Sequence, residues 1–154
     1  MKIQEKATTQ ADINDLVKNL RKADYEEVKA ISGEESIKKS ILEGWLQSEY
    51  SVSIFADDIL CGVYGVVKAE GFGSPYLLCT DQIGKIAKTF LKESKARVKA
   101  MEDKFPILFN YIDSRNSLHL KFIKMCGFKI ITDKMLNGVL FHGFIKEKEV
   151  KINV

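Results

Sequence analysis

The stretch SRNSLHLKFIKMCGF, Ser114 to Phe128, sets an amide and an imidazole, Asn116 and His119, three residues apart. That spacing puts both on one side of a helix. Imidazole titrates near neutral pH, so His119 has the chemistry of a general acid or base. Its neighbours Phe122, Ile123 and Cys126 make the same stripe apolar, which equally suits a hydrogen-bonded structural histidine. Asn116 stands where a helix N-cap is expected. A second chemical stretch is TDQIGKIAKTF, Thr80 to Phe90. Asp81 reads as a helix cap there, and Lys85 and Lys88 are within reach of an anion at the positive end of that helix.

Lys85, Lys88, Lys92, Lys95 and Lys99 recur at steps of three and four and therefore share one helix face. From Gly84 to Lys104, seven Lys/Arg stand against three Asp/Glu, in a chain whose net charge is only +3. Such a stripe is either a solvated face or a footprint for phosphate or nucleic acid. Without interleaved aromatic side chains it offers no stacking platform, so any nucleic-acid contact is expected to be weak and salt-sensitive. Cys61, Cys79 and Cys126 are widely spaced in apolar sequence, with no C-x-x-C pair and two histidines in the chain. They read as buried reduced thiols rather than a metal site or a disulfide.

These groups need a frame. A chain of 154 residues, 45% hydrophobic and 29% charged, suits one domain spanning 1–154. The longest apolar run, around Ile59 to Val67, is too short to span a membrane, and MKIQEKATTQ has no apolar signal region. A cytoplasmic protein with no membrane span is the expectation. MKIQEKA reads as a strand, followed by Thr9-x-x-Asp12, a capping pair that opens a helix carrying Ile13, Leu16, Val17 and Leu20. A second helix carries Ile37, Ile41 and Trp45. SVSIF and ILCGVYGVVKA form a hairpin across ADD, the EGFGSP segment reads as a loop, and YLLCT as a short strand buried on both faces. One long helix is predicted from Ile83 to Phe105, then the buried strand ILFNYI, then a helix from Asn116 to Cys126 ended by Gly127. Asn137-Gly138 marks a terminal hairpin. YLLCT and ILFNYI should lie parallel, joined by the basic helix. Trp45, Phe90, Phe105, Phe109, Phe122 and Phe128 are the expected core aromatics.

This order resembles the GNAT superfamily of N-acetyltransferases over nearly the whole chain. KATTQAD resembles the family's opening strand and helix start, ILCGVYGVV its third strand, and Asn116, Gly127 and Phe128 meet the spacing of its closing motif. In the second half, TDQ, NYI and NSLHLKFIK resemble GNAT-like internal virion proteins of short-tailed phages. The resemblance implies an α/β fold, a twisted mixed sheet flanked by about four helices, with acetyl-CoA as acyl donor and an amine as acceptor. It implies that Leu78, Cys79, Thr80 and Asn116 hold the pantetheine arm, and that Gln82, Gly84, Lys85 and Lys88 meet the pyrophosphate. The chain departs from the family's pattern at three places. Its cradle has one glycine and no arginine, Asp81 puts a negative charge beside the phosphates, and Ile123 occupies the position of the tyrosine acid. Tyr111 and His119 remain as proton donors. The two functions left open are a divergent N-acetyltransferase and a catalytically silent GNAT-like protein that serves a phage particle or its assembly through contacts with virion or host proteins or with DNA.

Overall fold

The computed structural model describes residues 1–149. The first strand, β1 (Ile3–Ala7), leads into α1 (Gln10–Lys18) through the predicted capping box: Thr9 Oγ1 accepts from the Asp12 amide, and Asp12 Oδ2 accepts from the Thr9 amide. Two further helices follow, α2 (Lys22–Ser32) and α3 (Ile37–Leu46), then the strands β2 (Ser48–Ala56), β3 (Ile59–Ala69) and β4 (Phe72–Cys79). A 3-10 turn, Asp81–Lys85, precedes α4 (Ala87–Lys104). The chain closes with β5 (Ile107–Asp113), α5 (Ser117–Met125), β6 (Lys129–Leu136) and β7 (Val139–Glu147).

Among the described residues the strands form a seven-stranded sheet in the order β1-β2-β3-β4-β5-β7-β6. Every neighbouring pair is antiparallel except β4 and β5, which run parallel with α4 as the crossover, as predicted. Helices α1 to α3 cover one face, where Ile13, Leu16, Val28, Ile37 and Ile41 pack on Leu60 and Val63. Helices α4 and α5 cover the other, where Phe90 and Phe122 meet edge to face over Ile54, Cys61 and Cys79. The turn at Asp57-Asp58 is left-handed at both residues, as is Asn137-Gly138, which is why short Asp, Asn and Gly residues occupy them. Gly127 ends α5 with a φ of 86°.

Several expectations are corrected. The segment from Lys22 to Ser32 forms α2, which the hydrophobic spacing does not reveal because two of its buried positions are the acids Asp24 and Glu27. The single helix from Ile83 to Phe105 is interrupted: Ile86 departs from helical backbone at a φ of −122° and a ψ of 4°, so the 3-10 turn and α4 are separate. Thr80, not Asp81, caps that turn, its Oγ1 accepting from the Gln82 amide. EGFGSP is not a loop throughout, since β4 begins at Phe72. YLLCT is not buried on both faces, for Tyr76, Leu77 and Leu78 are half-buried. Of the expected core aromatics Phe90, Phe122 and Phe128 are buried, while Trp45, Phe105 and Phe109 are partly exposed. The lysine stripe of α4 is exposed, and the three cysteines are free and buried.

Candidate active site

The parallel strands β4 and β5 are neighbours at one end only. Gly73 pairs with Leu108, Ser74 Oγ donates to the Phe109 carbonyl, and Asn110 Nδ2 donates to the Pro75 carbonyl. The glycine is required there, because a Cβ at position 73 would lie 2.7 Å from Cγ of Phe105. Beyond Pro75 the strands part. A cavity of about 330 Å³ opens between them and reaches from the α1–α3 layer to the α4–α5 layer.

The parted ends are held by α2. Its start is fixed against β4 by the Arg21 amide, which donates to the Cys79 carbonyl at 2.8 Å, and by a bridge from Leu20 to Thr80. Asp24 and Glu27 are one helical turn apart and point the same way. Asp24 Oδ2 accepts from the Cys79 amide of β4 at 2.8 Å, and Glu27 Oε1 accepts from the Asp113 amide of β5 at 2.7 Å. One helix thus supplies an acceptor to each separated strand. A buried amide without such a partner would be costly.

Around Asp24 the bonding is dense. Its Oδ1 accepts from Asn116 Nδ2 at 2.8 Å and from Arg21 Nη2 at 3.2 Å. Arg21 Nη2 also donates to Asn116 Oδ1 at 2.6 Å, so the Asn116 amide orientation is fixed and its nitrogen is the donor to His119 Nδ1. His119 is therefore the Nε2–H tautomer. That N–H is 3.4 Å from Asp24 Oδ1 but too poorly directed to bond, which leaves a buried donor without a partner. Burial pulls the imidazole down to about 4, outweighing the Asp24 carboxylate, so the ring is neutral at pH 7. Asn116 does not cap α5, contrary to the capping alternative; its side chain belongs wholly to this cluster and is 1% exposed.

Asp24, Cys79 and His119 also bring a carboxylate, a thiol and an imidazole within 4.8 Å of one another. A cation there would compete with the Arg21 guanidinium, and Asp24 already receives three hydrogen bonds. The arrangement is a hydrogen-bonded cluster rather than a metal centre.

Glu27 is the second ionisable group of the wedge. Burial pushes its carboxyl up to about 8; the Asp113 amide and Arg21 oppose this, while Asp24 and Asp113 add repulsion. Asp113 is itself buried and is chelated by Arg115, through Nε at 3.0 Å and Nη2 at 2.7 Å. Glu27, Tyr111 and His119 all line the through-sheet cavity, and Leu78 lines it too. Tyr111 stacks edge to face on Phe109, with the Lys134 ammonium 5.3 Å from its ring.

The remaining predicted residues lie outside the cavity lining, in the turn before α4 and its first residues. Thr80 is buried, donating to the Leu60 carbonyl at 2.8 Å while it caps the turn. Gln82 is half-buried, and Gly84, Lys85 and Lys88 are exposed. A Cβ at Gly84 would meet nothing within 4 Å, so the fold itself places no demand for glycine there. The first amides of α4 lack a side-chain cap. Open space, uncapped amides and two exposed lysines make this a favourable place for an anion. The Cys79 amide, expected to face the pantetheine arm, donates to Asp24 Oδ2.

The sequence singles out Asn116, His119 and the α4 start as candidates but not Arg21, Asp24 and Glu27, which the fold brings to Asn116 and His119 or to the cavity. The available signal was a pair of acids at i and i+3 beside apolar Val28 and Ala30, on a face otherwise suited to burial.

The architecture matches solved GNAT acetyltransferases. The PaiA N-acetyltransferase of Thermoplasma acidophilum, in complex with coenzyme A, superposes with a TM-score of 0.66 at 21% identity, over 96% of this chain and 99% of that one. A GNAT-family acetyltransferase from Streptococcus pneumoniae gives 0.63 at 13% identity, over 96% and 100% of the two chains. An N-acetyltransferase from Staphylococcus aureus gives 0.65 at 11% identity, over 96% and 99%. At these identities the likeness is one of fold. No protein-family model matches the sequence, and no curated protein matches it. No helix among the described residues is long and apolar enough to cross a membrane.

Proposed function

We propose that this protein is an N-acetyltransferase moving the acetyl group of acetyl-CoA to an amine. The observation that carries the reading is the parted β4/β5 pair, whose cavity joins the two helix layers and so lets a donor and an acceptor meet from opposite sides. The substrate ammonium gives one proton to a base, the neutral amine nitrogen bonds to the acyl carbon as the carbon–sulfur bond breaks, and the second proton lost from nitrogen offsets the one delivered to the departing sulfur, leaving the amide its remaining N–H. Lys85, Lys88 and the first amides of α4 hold the pyrophosphate, with Gln82 and Gly84 beside them. Leu78, Cys79 and Thr80 line the path of the pantetheine arm, and Asn116 keeps the arm's pocket in shape. Tyr111 protonates the sulfur, and His119 offers its neutral Nε2–H as a hydrogen-bond donor within the same cavity.

Calorimetric titration with acetyl-CoA tests this. Binding should weaken in Lys85→Ala and at raised salt, and strengthen a few-fold in Asp81→Asn, which keeps the side-chain shape and removes a repelling charge. No heat from the wild type under any of these conditions would sink the reading. Two features favour a second one: Asp24 occupies the Cys79 amide, and Ile123 has no proton to give. Under that reading the fold is catalytically silent and works through protein contacts; the resemblance to phage internal virion proteins names virion or host proteins as the partners.

A further inference from the structure

The cavity is chemically lopsided. Glu27 is its one lining carboxyl and Arg97 its one lining Lys/Arg among the described residues. Arg97 is already taken, paired with Glu5 and Glu93 and lying 4.2 Å from the Phe90 ring centroid. Glu27 is not: Oε1 accepts from the Asp113 amide, while Oε2 has no hydrogen-bond partner among the described residues. Around it, the arm on the α1–α3 side is walled by Ile13, Leu16, Val28, Ile41, Trp45 and Tyr76.

Resting on the transfer reading above, we propose that this arm is the acceptor site and takes a primary amine carried on an aromatic or aliphatic body, with the ammonium seated on Glu27 and Glu27 acting as its base. An ammonium in this arm would be stripped of water, and an unpaired Glu27 carboxylate would be as well; each is the other's available partner. The apolar wall accepts a hydrocarbon body, whereas a second cation on the same ligand would find no second carboxylate in the lining, only apolar side chains and uncharged groups such as Ser40. Polyamines are therefore disfavoured. The proton moves from the ammonium nitrogen to Glu27 Oε2, leaving a neutral amine whose lone pair is free to attack, and Glu27 then returns it to solvent. The environment supports this role: burial first, then Asp24 on the same helix and Asp113 on β5, raise the proton affinity of the Glu27 carboxyl, while the Asp113 amide and Arg21 oppose them.

The test is a calorimetric titration of the protein without any acyl donor, using 2-phenylethylamine, 2-phenylethanol and putrescine, on the wild type and Glu27→Gln. Gln keeps an oxygen for the Asp113 amide, so the fold should hold; should it not, the wild type alone carries the test, its affinity for the aromatic amine rising several-fold from pH 6 to pH 8 while that for the alcohol stays flat. The aromatic amine should bind the wild type at least tenfold more tightly than the variant, the alcohol should bind both alike, and putrescine should bind neither. In buffers of different ionisation enthalpy, amine binding at pH 7 should release close to one proton in the wild type and none in Glu27→Gln. Equal affinity of the amine for both proteins, a preference for putrescine, or no proton release would overturn the proposal. Because no donor is present, amine binding without acetyl-CoA binding would instead defeat the transfer reading and leave this site standing.

Discussion

The two ends of the β4/β5 pair are built from the same strands by opposite means. At Gly73 and Leu108 the backbones approach under the Phe105 ring, and uncharged groups, Ser74 and Asn110, bind across the gap. At Cys79 and Asp113 the backbones never meet, and their amides are satisfied by carboxylates from a third element. The closed end depends on shape and the open end on charge. A sheet edge inside a protein can be left unpaired when something else supplies its acceptors, and the space so made is then bounded by ionisable groups.

Disrupting the open end should have the largest effect. Asp24→Ala strands Arg21, Asn116 and the Cys79 amide together in a buried place, and should cost about 3–5 kcal/mol in urea unfolding. A loss below about 1 kcal/mol would show that the cluster is wetter than it looks.

Next comes the pH dependence of the same end. Glu27, normally ionising near 4.5, is raised to about 8 in the folded protein, so the folded state binds its proton more tightly than the unfolded chain. Stability should fall as pH rises from 4.5 to about 8, by a few kcal/mol. His119 acts on the acid side: normally near 6.5, it is lowered to about 4 in the fold, so stability should be lost as pH falls through that window. Melting across pH 4 to 9 should show Glu27→Gln abolishing the alkaline decline, and His119→Gln reducing the acid one. Unchanged profiles would mean that neither group is sealed from water.

At the closed end, Gly73→Ala drives a methyl into Phe105 and should cost about 1–3 kcal/mol without any pH dependence, which separates shape from charge as the cause. The smallest effect belongs to the exposed lysines. Lys85→Ala combined with Lys88→Ala should leave the melting midpoint within about 0.5 kcal/mol of wild type, whatever it does to anion binding.

Strand identity, the parallel pair and the capping box were legible because they follow from local spacing: Thr9-x-x-Asp12, Asn137-Gly138, and apolar runs on either side of a helical segment. Helix α2 was hidden for a physical reason. Hydrophobic periodicity treats Asp24 and Glu27 as solvated, and their burial becomes affordable only through partners far along the chain. The break before α4 was also invisible, since Ile86 is an ordinary apolar residue and nothing in its type signals the end of the Thr80-capped turn. His119 is ambiguous in the sequence, because the deciding fact, which group faces each ring nitrogen, depends on Arg21, Asp24 and Asn116.

The wedge also bears on the order in which the chain can assemble. Asp24 meets Asn116 across 92 residues, Arg21 meets Asn116 across 95, and Glu27 meets Asp113 across 86. Until the last third of the chain has been made, two carboxylates of α2 have no place to be buried, so the early layer α1–α3 with β2 to β4 cannot close on its own. Contacts of such long range slow the search for the native state. During synthesis α2 should remain solvated and mobile until α5 emerges, and the site would then be completed in the same late step that completes the fold.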